Sequence, residues 1–222
     1  FQWWESDLHQ TLDELRITGG EPLMSGYTWR LIDWFAANQG RSQTRLAINS
    51  NLGMESQRVQ TLLDRLVTVK PVDIYTSNES QNGQAEYIRD GLVFSQWVAN
   101  VHQVLQSPKV RALHSMCTIN ALCLDSLPNY LSFLLALKQQ YGRDRVNFTL
   151  NILRFPSFQS ALVLPRHLRD FYRQRLHEWL DVNRVNPLLH EHEVNHLQRL
   201  IDYLRSEEHT SELQSHLNLV CR

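Results

Sequence analysis

The sequence predicts an α/β protein built on a parallel β-sheet with outer helices, and three observations predict it. Short runs of β-forming residues recur five times, with a segment of helical periodicity between each and the next. Neighbouring parallel strands need a crossover, usually a helix, so this alternation favours a parallel sheet over hairpins. Polar residues also follow successive strands, at the carboxyl ends where such sheets hold ligands. Right-handed crossovers would wind these units into a barrel or a partial barrel.

Residues 15–18 read as a short apolar strand. Residues 27–38 place Trp29, Leu31, Ile32, Trp34 and Phe35 at helical spacing. The next strand is 45–49, followed by a helix over 55–67 with Val59, Leu62, Leu63 and Leu66 on one face. Pro71 ends that helix, since proline has no N–H and its ring clashes with the preceding turn. A strand spans 72–76, and polar 77–91 reads as a loop and a helix start. Residues 94–105 form an amphipathic helix that Pro108 ends. A strand at 112–120 precedes a helix over 127–141, closed by Gly142. Residues 146–153 are a strand that Pro156 stops, and 164–182 and 187–204 are two further helices. Trp3, Trp4, Trp29, Trp34 and Trp97 are expected in the core between helices and sheet. His102, His114 and His167 have no evident partner.

The 222 residues suit one domain, and 42% hydrophobic with 20% charged residues describes a water-soluble globular chain. A net charge of −1 offers no electrostatic case for nucleic acid or an anionic membrane as partner. The longest apolar run, 130–137, falls far short of the roughly 20 residues that span a bilayer. Cys117, Cys123 and Cys221 are too few and too irregular for a disulfide framework, so the cytoplasm is the expected compartment.

The most specific run is Ile17-Thr18-Gly19-Gly20-Glu21-Pro22. An apolar strand ends in two glycines, which turn sharply and let backbone approach a ligand. A carboxylate then stands at the strand's carboxyl end, beside free carbonyls, and suits an ammonium group. The tetrapeptide resembles the Gly-Gly-Glu-Pro motif of radical S-adenosylmethionine (SAM) enzymes, where it holds the amino group of the methionine part. The likeness extends over roughly 12–164, through 14–23, Ile74-Tyr75-Thr76-Ser77 and 146–156, and is closest to radical SAM proteins with a twitch domain.

That resemblance implies a partial (β/α)6 barrel whose first strand and Cys-x3-Cys-x2-Cys cluster loop are not among these residues. It implies an incomplete core barrel over 1–164, with 165–204 as its C-terminal helices. Residues 205–222 look like a translated sequencing adapter and are expected to be foreign. The implied SAM contacts are Gly19, Gly20, Glu21 and Pro22, with Asn49-Ser50-Asn51 similar to a Thr-Asn-Gly-type segment near SAM. Ser77 corresponds to a position that contacts the sugar or carboxylate, and Arg89 to an arginine that grips the carboxylate. Thr118, Asn120 and Leu153 end the last strands and complete the set.

The implied cofactors are SAM and a [4Fe–4S] cluster held by three Cys thiolates, with a reducing electron donor as partner. The implied reaction is reductive cleavage of SAM and hydrogen abstraction from a substrate that the sequence does not name, a peptide by analogy with relatives. Cys117 and Cys123 lack the cluster spacing and read as buried apolar side chains, so these residues alone are expected to bind no cluster and to be inactive.

Two other readings come from different classes. His192-Glu193-Val194-Asn195-His196 matches the His-Glu-x-x-His pattern of zinc peptidases, with two histidines on one helix face and Glu193 as general base. No third ligand follows except Glu207, Glu208 and Glu212 in the suspected adapter, and a solvated helix face is the plainer reading. A non-catalytic α/β binding protein needs only the fold.

Overall fold

The computed structural model describes residues 1–38 and 40–206. Its sheet has five strands, all parallel, in the order of the chain: β1 (Glu14–Ile17), β2 (Arg45–Asn49), β3 (Val72–Ser77), β4 (Val110–Ile119) and β5 (Val146–Ile152). The expected parallel α/β sheet is therefore present, with each strand boundary within two residues of the sequence reading.

The chain opens with a π-helical turn, Trp4–Leu8, running into α1 (His9–Thr11). The crossovers are α2 (Gly26–Ala37), α3 (Ser56–Arg65), the pair α4 (Asn82–Ile88) and α5 (Phe94–Gln106), and α6 (Leu127–Tyr141). Two long helices follow β5, namely α7 (Arg166–Asn183) and α8 (Glu191–Arg205). Gly142 closes α6 at φ 109°, a backbone angle that only glycine adopts without strain. The last two helices begin later than their periodicity suggests. Pro165 caps α7, and His190 caps α8 in a reciprocal box with Glu193 that satisfies two backbone N–H groups. Arg205 completes α8 and Ser206 caps it, so its end runs one residue past the expected boundary at 204, and 207–222 with Cys221 lie outside the described residues.

The two faces of the sheet differ. Ile48, Ile74, Leu113, Val146, Cys117 and Leu150 have no exposed surface and meet the helices, with Trp97 of α5 bonding Thr76 and Tyr130 of α6 bonding Ser115. This side, with α3, α5 and α6, is the hydrophobic core. The opposite side carries Arg16, Asn49, Tyr75, His114, Asn147 and Thr149, which keep contact with solvent. Two expectations need correction here. Trp3 is 69% exposed rather than core, while Trp4 is buried against Trp34 and Phe35. His102 and His114 have neighbours after all: His102 Nδ1 lies 2.8 Å from the Tyr141 hydroxyl, and His114 stacks on Tyr75 at 4.4 Å with its Nε2 3.8 Å from Asp73.

Candidate functional site

The carboxyl edge of the sheet holds two adjoining cavities. The first, of about 480 Å³, is lined by Glu21, Asn51, Ser77 and Arg89 together with Met24, Ile88 and Leu92. The second, of about 670 Å³, is lined by Glu79, Arg89, Thr118, Asn120, Leu122, Leu153 and Phe158. Ile88 and Arg89 belong to both and form the wall between them. Both volumes fall in the range of ligand pockets, about 300–1,000 Å³.

Glu21 is placed by its own turn and by the neighbouring strand. Gly19 and Gly20 take φ 103° and 23°, and a Cβ on either would meet nothing within 4 Å. Pro22 then starts a short 3₁₀ turn, Pro22–Met24, whose Leu23 N–H donates to Glu21 Oε1 at 3.1 Å. Asn51 N–H donates to the other oxygen at 2.7 Å, tying the turn after β1 to the loop after β2. Each carboxylate oxygen keeps a further lone pair for a ligand.

The loop after β2 is itself held from below. Asn100 of α5, fully buried, donates to Leu52 O and Met54 O at 2.8 and 2.7 Å. Ser50 accepts from Leu52 N–H, and Asn51 Oδ1 accepts from Gly53 N–H. Leu52 sits at φ 52°, a conformation that non-glycine residues adopt only where their surroundings hold them. Sequence reasoning missed Asn100, although a lone amide on the apolar side of an amphipathic helix was a visible signal.

Ser77 ends β3, and the chain then buries Asn78, Glu79 and Ser80 in succession. Glu79 was also missed. Its Oε2 accepts from Arg89 Nη2 at 2.5 Å and faces Thr118 N–H at 3.4 Å. Burial pushes the Glu79 carboxyl above the usual carboxylate range, and the Arg89 guanidinium only partly offsets it. Arg89 Nε is buried with no hydrogen-bond partner among the described residues, and the residue lines both cavities.

The remaining residues expected at the site divide. Thr118, Asn120 and Leu153 meet at the second cavity, but the Asn120 side chain is engaged in its own turn, accepting from Leu122 and Cys123 N–H. Asn49, Ser50, Pro22, Gly19 and Gly20 line neither cavity. Ser50 and Pro22 are buried in their turns, and Asn49 lies on the solvent-facing side of the sheet beside Tyr75. Cys117 and Cys123 are buried thiols whose pKa burial raises, to about 12 for Cys123.

The His-Glu-x-x-His segment lies on α8 and is turned to structural work. Glu193 is 1% exposed, pairs with the buried Lys138 ammonium at 3.0 Å, and accepts from Phe148 N–H on β5. His196 Nδ1 accepts from Leu150 N–H at 3.3 Å. No group of three His, Cys, Asp or Glu able to hold a metal occurs among the described residues. No helix among them is long and apolar enough to cross a membrane. No protein-family model, curated protein or solved structure matches the chain.

Proposed function

We propose that the carboxyl edge of this sheet binds S-adenosylmethionine, and that the chain is the SAM-binding part of a radical SAM enzyme acting on a substrate such as a peptide. The observation that supports the reading is convergence: Glu21, Asn51, Ser77 and Arg89, each placed at the site by resemblance, line one cavity. The residues fit the ligand. A carboxylate fixed by two N–H groups can accept from an ammonium, and the Arg89 guanidinium at the cavity wall can donate to a carboxylate. The wall at Arg89 opens onto a second cavity with an apolar rim of Leu122, Leu153 and Phe158, suited to a flat ring.

A [4Fe–4S] cluster does not fit the thiols described. Cys117 and Cys123 are buried and held protonated, and cluster iron binds thiolates. No step through the cluster is therefore assigned to these residues, and the electron donor stays part of the family's chemistry. The zinc-peptidase reading finds no support, because a general base must reach water and Glu193 is buried against Lys138 and β5.

Calorimetric titration of the protein with SAM and with 5′-methylthioadenosine, which lacks the amino-acid part, tests the proposal. SAM should bind one to one and at least tenfold more tightly. Equal affinities, or no binding of SAM to folded protein, would overturn it.

A further inference from the structure

Three polar residues in a row, Asn78, Glu79 and Ser80, leave the end of β3, and each is at most 1% exposed. Loops ordinarily keep such residues in water, because a buried polar group costs free energy unless it is paired. Asn78 and Ser80 serve the loop itself. Asn78 Nδ2 donates to Ser80 O at 3.0 Å, and Ser80 Oγ bonds the Oγ of Ser126, the residue that caps α6. Ser115 Oγ of β4 reaches Asn78 O at 3.4 Å, and Gln81 Nε2 donates to Asn129 O of α6 at 3.2 Å. The main chain on both sides of Glu79 is thus tied to β4 and α6.

Glu79 differs from its two neighbours, for it alone of the three lines either cavity. Its charged neighbour among the described residues is the Arg89 guanidinium. Cys117 of β4, Cys123 in the turn after it and Tyr130 of α6 also surround it, and burial keeps all three protonated. Burial pushes the Glu79 carboxyl up as well, against the pull of Arg89 and of Thr118 N–H. Stability alone is a weak reason for such a pair, since apolar residues of similar volume often serve as well.

Arg89 has little else to fix it. It stands just outside α4, at φ −120° and ψ 94°, with its side chain 26% exposed. The one hydrogen bond of that side chain among the described residues is the bond to Glu79. A guanidinium has five N–H donors in a rigid fork, so one carboxylate sets the direction of the rest.

We propose that Glu79 is a positioning residue: it holds the Arg89 guanidinium at the wall between the two cavities, aimed at a ligand carboxylate, and so makes recognition of that carboxylate depend on pH. The inference rests on the reading of the site as a SAM site. Ionised Glu79 anchors Arg89. As pH falls through the raised Glu79 pKa, protonation removes the charge that the guanidinium is held by.

The test compares SAM with decarboxylated SAM, which keeps the ammonium and lacks the carboxylate. Both affinities are measured by calorimetry from pH 7.5 to 5, on the unaltered chain and on Glu79→Gln. At pH 7.5 the variant should bind SAM at least fivefold more weakly and decarboxylated SAM less than twofold more weakly. The preference of the unaltered chain for SAM should shrink as pH falls, and that of the variant should stay level, because protonated Glu79 resembles glutamine. A merely structural role would weaken both ligands alike. Equal losses for the two ligands, tighter SAM binding in the variant, or a preference indifferent to pH in the unaltered chain would overturn the proposal. Should the variant fail to fold, the pH course of the unaltered chain decides. No SAM binding to the folded, unaltered chain removes the SAM reading and this inference with it, whereas SAM binding indifferent to pH and to Glu79→Gln removes this inference alone.

Discussion

Glu193 illustrates how a residue's surroundings decide its chemistry. Its sequence context matches a catalytic base, yet its carboxylate satisfies the Lys138 ammonium, the Phe148 N–H and the His190 N–H together. Burial lowers the Lys138 pKa while Glu193 opposes that shift, so the ammonium relies on this partner. Removing one member of a buried ion pair leaves the other uncompensated, typically at about 3–5 kcal/mol. Glu193→Ala should therefore lower the unfolding free energy by about that amount in a denaturant titration, and Glu193→Gln by less. A change in Glu193→Ala below about 1 kcal/mol would show that the pair is hydrated. Glu21 was legible at the same scale because its neighbours are unusual: two glycines and a proline leave few alternatives to a sharp turn. Glu79 was not legible, since nothing local distinguishes it from a solvated loop carboxylate, and only the fold brings Arg89 and Thr118 to it.

At the scale of elements, α8 stands where a next strand would pair with β5. Glu193, His196 and Arg199 recur every third residue, which keeps them on one helix face. They serve Phe148 N–H, Leu150 N–H and Leu150 O along the edge of β5. An edge strand left with unpaired groups invites association, and covering it with a helix removes that risk. The His196 bond requires an unprotonated Nδ1, and burial, with Arg199 and His192 nearby, lowers its pKa below the ordinary histidine value. A histidine pKa depressed by folding contributes stability in full above the unfolded value of about 6.5, and that contribution is lost as pH falls through the folded value. Unfolding free energies measured from pH 8 down to 5 should thus decline below about pH 6.5, and His196→Asn should flatten part of that decline. An identical profile in the variant would remove His196 from the edge.

At the scale of the molecule, the described residues form a five-stranded parallel sheet with a helix-covered side and a polar side. The order of elements was readable because hydrophobic periodicity switches between two and 3.6 residues along the chain. The polar side was also written there: β5 reads Val-Asn-Phe-Thr-Leu-Asn-Ile, a strict alternation that a parallel strand buried on both faces does not need. What no local pattern disclosed was which strand ends meet. Asn49 and Asn51 are two residues apart, yet one lies on the sheet face and the other in the cavity with Glu21.

The proposed contact between Glu21 and the ammonium of SAM can be isolated by a ligand-by-variant cycle. Affinities of SAM and 5′-methylthioadenosine are measured on the unaltered chain and on Glu21→Gln, with both confirmed as folded by circular dichroism. Glu21→Gln should lose at least tenfold in affinity for SAM and almost none for 5′-methylthioadenosine. Equal losses for the two ligands, or none for either, would contradict it.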